Sequence, residues 1–129
     1  MAVNFGDQLR IPVQGAPSDS SASNLEPVCV NAVFGTSGAI ASYSGRAGAV
    51  VAKPSGTGVY TVTIPQAKKV YVSGITYFDA AGTGKLIPTA KSKSTTVVTI
   101  VTSAEGTGTL APADAVSGDS IDVCLWVEF

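Results

Sequence analysis

Between Ile121 and Phe129 the chain alternates without a break. Ile121, Val123, Leu125, Val127 and Phe129 share one parity, and Asp122, Cys124, Trp126 and Glu128 share the other. Successive side chains of a strand point to opposite faces, so this period of two describes a half-buried strand and no helix. The same rule recurs upstream. Val28, Val30, Ala32 and Phe34 fall on one face of a first strand, and in "SGTGVYTVTIP" Tyr60, Val62 and Ile64 alternate with Thr61 and Thr63. "GRAGAVVA" leads into that segment through the turn "KPSGTG", which predicts a hairpin ended by Pro65, a residue with no N–H to give a ladder.

The remaining segments keep the same signature. In "KVYVSGITYFDA" the phase slips: Val70 and Val72 share one parity, Ile75 and Tyr77 the other, and a bulge at Ser73-Gly74 absorbs the change. "KLIPTAKSK" carries Pro88 and several lysines, residues that protect an edge strand from pairing with another chain. "TTVVTIVT" (Thr95 to Thr102) is β-branched and apolar on both parities, as expected of a central strand. "SAEGTGTLAPADAVSGDS" reads as a long loop with one short helical turn near Pro112 to Val116. The expected fold class is all-β: an antiparallel β-sandwich or flattened barrel of about seven or eight strands with an extended N-terminal arm.

Residues 1–24 stand apart. "GAPSDSSASN" (Gly15 to Asn24) is small, polar and aperiodic, while Phe5, Leu9, Ile11 and Val13 set isolated apolar teeth around Pro12. This pattern predicts an extended arm from Met1 to about Val13, joined by a flexible linker to a β-sandwich domain spanning 25–129. The teeth predict docking, because a solvated tail has no use for them.

Charge narrows the function. The chain has 129 residues, a formal net charge of -1 and only 13% charged residues, against about 25% in ordinary domains. So little positive excess lacks the footprint of a nucleic-acid binder. No apolar run approaches the ~20 residues of a membrane span. The first residues lack the basic and apolar regions of a signal peptide, so synthesis in the cytoplasm is expected. The charge deficit points towards large subunit contacts, whose centres are depleted of charge.

The residue types available also limit catalysis. With no histidine, Ser-His-Asp and Cys-His arrangements are excluded, and the carboxylates are scattered mostly through loops. "AGTGKL" (Ala81 to Leu86) resembles the end of a phosphate-binding loop. It fails where Asp79 replaces the first glycine and Leu86 replaces the metal-binding hydroxyl, and it lies between two strands. Asp114, Asp119 and Asp122 gather before the last strand without the spacing of a calcium loop. The expectation is therefore no enzyme, with no catalytic residue, no cofactor and no metal.

Cys29 and Cys124 lack zinc-site spacing. They read as two free buried thiols, or as a disulfide if the first and last strands are neighbours. Lys68, Lys69, Lys85, Lys91 and Lys93 form either a solvated rim or a contact for an acidic partner. Tyr43, Tyr60, Tyr71 and Tyr77 would suit a sugar-binding face, but at least two of them have core-facing parity. Trp126, on the parity opposite the core-facing set, is covered by the arm or a loop, or makes a subunit or ligand contact.

Taken together, "GRAGAVVAKPSGTGVYTVTIPQAKKVYVSGITYFDAAG", "STTVVTIVT" and "APADAVSGDSIDVCLWVEF" resemble small β-rich virion proteins of tailed bacteriophages, the head decoration or cement proteins. The resemblance covers about two-thirds of the chain and rests on structural motifs. The departures are the short, cysteine-bearing final strand, Pro54 in the hairpin turn, and an unmatched N-terminal segment. The resemblance implies a protein on the outer surface of the assembled capsid, put together in the host cytoplasm. Its partners would be the major capsid protein and itself, as a homotrimer, with no direct nucleic-acid or membrane contact. Partner contacts are then expected at Phe5, Leu9, Ile11, Val13 and Trp126. The alternative is another virion module (tail-fibre, baseplate or head-fibre) or a glycan-binding domain.

Overall fold

A computed structural model describes residues 25–82, 86–105 and 108–129. Among them nine strands are formed: β1 Leu25–Phe34, β2 Ile40–Gly45, β3 Val50–Ala52, β4 Val59–Thr63, β5 Lys69–Phe78, β6 Leu86–Lys93, β7 Val97–Glu105, β8 Leu110–Pro112 and β9 Ser120–Glu128. They build two antiparallel sheets packed as a β-sandwich. One has the order β2-β1-β9-β5, and the other β3-β4-β7-β6 with β8 added to β7. The expected arm, with Phe5, Leu9, Ile11 and Val13, lies outside the described residues.

The core follows directly from parity. Val28, Val30 and Phe34 of β1 and Val123, Leu125 and Val127 of β9 are buried from one sheet. They face Tyr60, Val62, Val98 and Ile100 from the other. The Phe34 and Tyr60 rings pack at 4.9 Å between centroids, tilted as aromatic pairs prefer. β9 lies between β1 and β5 and pairs with both along its full length.

The phase slip in β5 is a bulge, with the β9 register shifting between Val72 and Gly74. It lets Val70 and Val72 before it, and Ile75 and Tyr77 after it, all pack against the core. A second bulge between Ala90 and Ser92 bends the edge strand β6. There the Lys93 ammonium donates to the Val70 carbonyl at 2.8 Å, tying the rim of one sheet to the rim of the other.

Two expectations are corrected, and a third, the central place of β7, holds with one face outward. No helical turn forms near Pro112 to Val116. Pro112 belongs to β8, opposite Ser103, and the Ala113 N–H donates to the Thr102 carbonyl at 2.9 Å, holding the backbone extended. The cysteines are not buried: Cys29 is exposed and Cys124 half-exposed, because both occupy the outward parity of their strands. β7 is central in its sheet, between β4 and β6. Only its Val98, Ile100 and Thr102 face is buried, leaving Val97, Thr99 and Val101 half-exposed on the outside.

Candidate functional site

The candidate site is a pair of outward sheet faces. On the β3-β4-β7 side, the residues alternating with the buried set are Val50 and Ala52, then Val59, Thr61 and Thr63, then Val97, Thr99, Val101 and Ser103. Every one is uncharged. Valine and threonine stand in register, with Thr61 opposite Thr99 and Val59 opposite Val101, so the surface is flat and stiff at χ1. The sequence of β7 is apolar on both parities. Threonines interleaved with the valines were the signal that the second side meets solvent or a partner.

The other outward face is built differently. Trp126 of β9 stands between Pro27 of β1 and Tyr71 of β5, giving a row across three strands. Trp126 is 44% exposed and Tyr71 38%. The Lys69 and Lys93 ammonium groups lie 5.4 and 4.8 Å from the centre of the Tyr71 ring, both in cation–π range. These are the two lysines of the predicted basic group that the fold brings together. Lys68 and Lys91 are exposed, and Lys85 lies outside the described residues. Of the four tyrosines, Tyr60 and Tyr77 turn inward, as their parity required, and only Tyr71 joins Trp126.

The aspartates before β9 are each occupied separately. Asp114 accepts from the Gly58 N–H at 2.7 Å and pairs with Lys53 at 2.9 Å. The first contact, more than the second, holds its carboxyl below the usual range. Asp119 is buried and accepts from the Tyr77 hydroxyl and the Ala80 N–H. Asp122 accepts from the Asn31 side-chain amide at 2.6 Å. The first two carboxylates fasten loops to the sandwich and the third links β1 to β9, so each has its own partners. Asp79 does local work as well, accepting from the Ala81 N–H through its side chain and from the Gly82 N–H through its carbonyl. Gly82 of "AGTGKL" therefore lies in an Asx turn that follows β5.

Tyr60 is a second anchor for the same loop. Its hydroxyl donates to the Gly38 carbonyl at 2.9 Å and accepts from the Ala115 N–H at 3.0 Å. Burial pushes its ionisation above the ordinary tyrosine range. At the end of the sandwich, Glu26, Arg46, Pro65 and Phe129 help line a cavity of about 550 Å³. Arg46 spends its guanidinium on Glu26 and on the Pro27 carbonyl.

In comparisons with protein-family models, curated proteins and solved structures, nothing matches this chain.

Proposed function

We propose that this protein is a bacteriophage capsid decoration protein, which binds the outer surface of the assembled head and stabilises it by bridging subunits non-covalently. The observation that carries the reading is the uncharged outward face of β3, β4 and β7. A sheet face exposed to water ordinarily alternates into charged and strongly polar residues. One limited to valine, alanine, threonine and serine loses little hydration when a partner covers it. The sequence resemblance supports the same role.

The mechanism is adhesion. A rigid sandwich presents its flat face to the lattice of major capsid protein and to its own copies as a homotrimer. A contact of about 800 Å² per partner is sufficient for specific association. Once one subunit of a trimer is bound, the others sit at high effective concentration, so modest single contacts combine into slow release. Residues 1–24, with Phe5, Leu9 and Ile11 as anchors, extend the grip across a subunit boundary.

The test is co-sedimentation of the purified full chain with expanded phage heads, empty tails serving as control. Saturable binding to heads alone is expected, and binding to neither particle rejects the role. A second reading rests on the Trp126–Tyr71 row. Exposed aromatics side by side are what a sugar ring stacks upon, so a glycan-binding virion module is the alternative, read out on a glycan array.

A further inference from the structure

Cys29 and Cys124 are directly opposite each other on β1 and β9. The backbone bonds of neighbouring residues fix the class of that pair. The Phe34 N–H donates to the Asp119 carbonyl at 2.8 Å, so the even-numbered residues of β1 aim their backbone groups at β9. The Lys68 N–H donates to the Glu128 carbonyl at 2.7 Å, so the even-numbered residues of β9 aim theirs at β5. Cys29 and Cys124 therefore form a non-hydrogen-bonded pair. Such pairs bring Cα atoms to about 4.5 Å, inside the range a disulfide spans. Asn31 and Asp122, the next pair of the same class, already touch through their side chains at 2.6 Å.

The pair is also reachable. Cys29 is exposed. On the other side of Cys124 stands Gly74 of the β5 bulge, where a Cβ would meet nothing within 4 Å. The thiols consequently sit at a gap in the outward face, beside the Trp126 row.

We propose that Cys29 and Cys124 are a dithiol site that takes low-molecular-weight disulfides of the glutathione class and closes into a reversible cross-strand disulfide. Exposure assigns the first attack to Cys29. While Cys29 is reduced, the Cys124 thiol is pushed up to about 11 by the neighbouring Cys29 thiol and then by burial, which keeps it from attacking first. Cys29 loses its proton to solvent and its thiolate attacks one sulfur of the small disulfide. That S–S bond breaks, one thiolate leaves and takes up a proton, and Cys29 carries the mixed disulfide. Cys124 then gives up its proton and attacks the Cys29 sulfur, expelling the second small thiol. Two protein thiols are oxidised and one small disulfide is reduced to two thiols.

On the capsid reading, the bond would form after release from the reducing cytoplasm and clamp β1 to β9. The chemistry itself does not depend on that reading. The full-length chain is incubated with oxidised glutathione, its remaining thiols are alkylated, and its mass is measured. Loss of both alkylation sites within one chain is expected. So is a rise in melting temperature on the order of 10 °C, because the loop closed is roughly a hundred residues long. Cys124→Ser should instead stop at a stable glutathione adduct on Cys29. Two thiols that stay alkylatable, or a bond that joins two chains, would overturn the proposal. Since the assay contains no capsids, its outcome is separable from that of the co-sedimentation test.

Discussion

The Tyr77 hydroxyl donates to Oδ2 of Asp119 at 2.5 Å, joining the bulged strand β5 to the residue that introduces β9. Oδ1 of the same buried carboxylate accepts from the Ala80 N–H at 2.9 Å. One side chain thereby holds two segments that the chain separates widely. Removing the hydroxyl leaves a buried charge short of a donor. Tyr77→Phe should cost about 1.5–3 kcal/mol, the range for hydrogen bonds to charged groups, measured as a lower urea midpoint with unchanged slope.

The same contact sets an alkaline limit. Tyr77 ionises above the ordinary value of 10.0, through burial first and the Asp119 bond second, and burial raises Tyr60 likewise. Folding thus favours the protonated phenols. Their stabilisation is complete below the unfolded value near 10 and drains away as pH rises towards the folded values. Urea midpoints should fall between about pH 9.5 and 11.5, and the fall should be smaller in Tyr77→Phe. An identical decline in the variant would remove Tyr77 as a cause.

Gly58 marks a tight backbone crossing. Its φ is +71°, and a Cβ there would lie 2.5 Å from the Thr102 carbonyl oxygen and 2.7 Å from that of Ala113. Both obstacles are main chain and cannot rotate aside. Gly58→Ala should lose at least about 3 kcal/mol, combining left-handed strain with displaced strands. Thermal unfolding by circular dichroism is the measurement.

Adjacent residues should behave in opposite ways. Leu125 is 1% exposed and Trp126 44%. Leu125→Ala should cost about 2–5 kcal/mol through the cavity it leaves. Trp126→Ala, on the outward parity, should change stability by less than about 1 kcal/mol. Chemical denaturation of both variants checks the contrast, and a glycan array with the second tests the alternative reading.

Charge placed on the flat face should separate folding from adhesion. Thr99→Lys with Thr61→Lys sets two ammonium groups directly opposite each other in the β4–β7 register. The cost to stability should be about 1 kcal/mol or less. Loss of head co-sedimentation together with a smaller mass by light scattering is expected; undiminished binding would move the contact to another face.

Much of the sandwich was legible because parity is local. The inward sets of β1, β4 and β9, the β5 bulge and the edge character of β6 all follow from residues within one or two positions of each other. β2 and β8 were not legible. "IASYSG" is exposed nearly throughout, so burial leaves no period to read. β8 is only three residues long and exposed throughout, so it too leaves no period to read, although its partners on β7 are close by in sequence. The loop before β9 failed for a different reason, since its conformation is held by Tyr60, Gly58 and Thr102 rather than by its own propensities. The uncharged face was visible as composition, but whether valine and threonine looked inward or outward depended on which sheet lay beneath them.

The placement of β9 governs when folding can finish. β1 and β5 share no ladder and meet only through the strand between them. A nascent chain that has not yet exposed residues 120–128 can form the β1–β2 and β3–β4 hairpins, yet one sheet still lacks its middle. Completion therefore waits on β9 and is dominated by distant pairings, which makes refolding slow for a chain of this size. Until β9 docks, the facing edges of β1 and β5 stay open, and a holdase chaperone would have a reason to cover them.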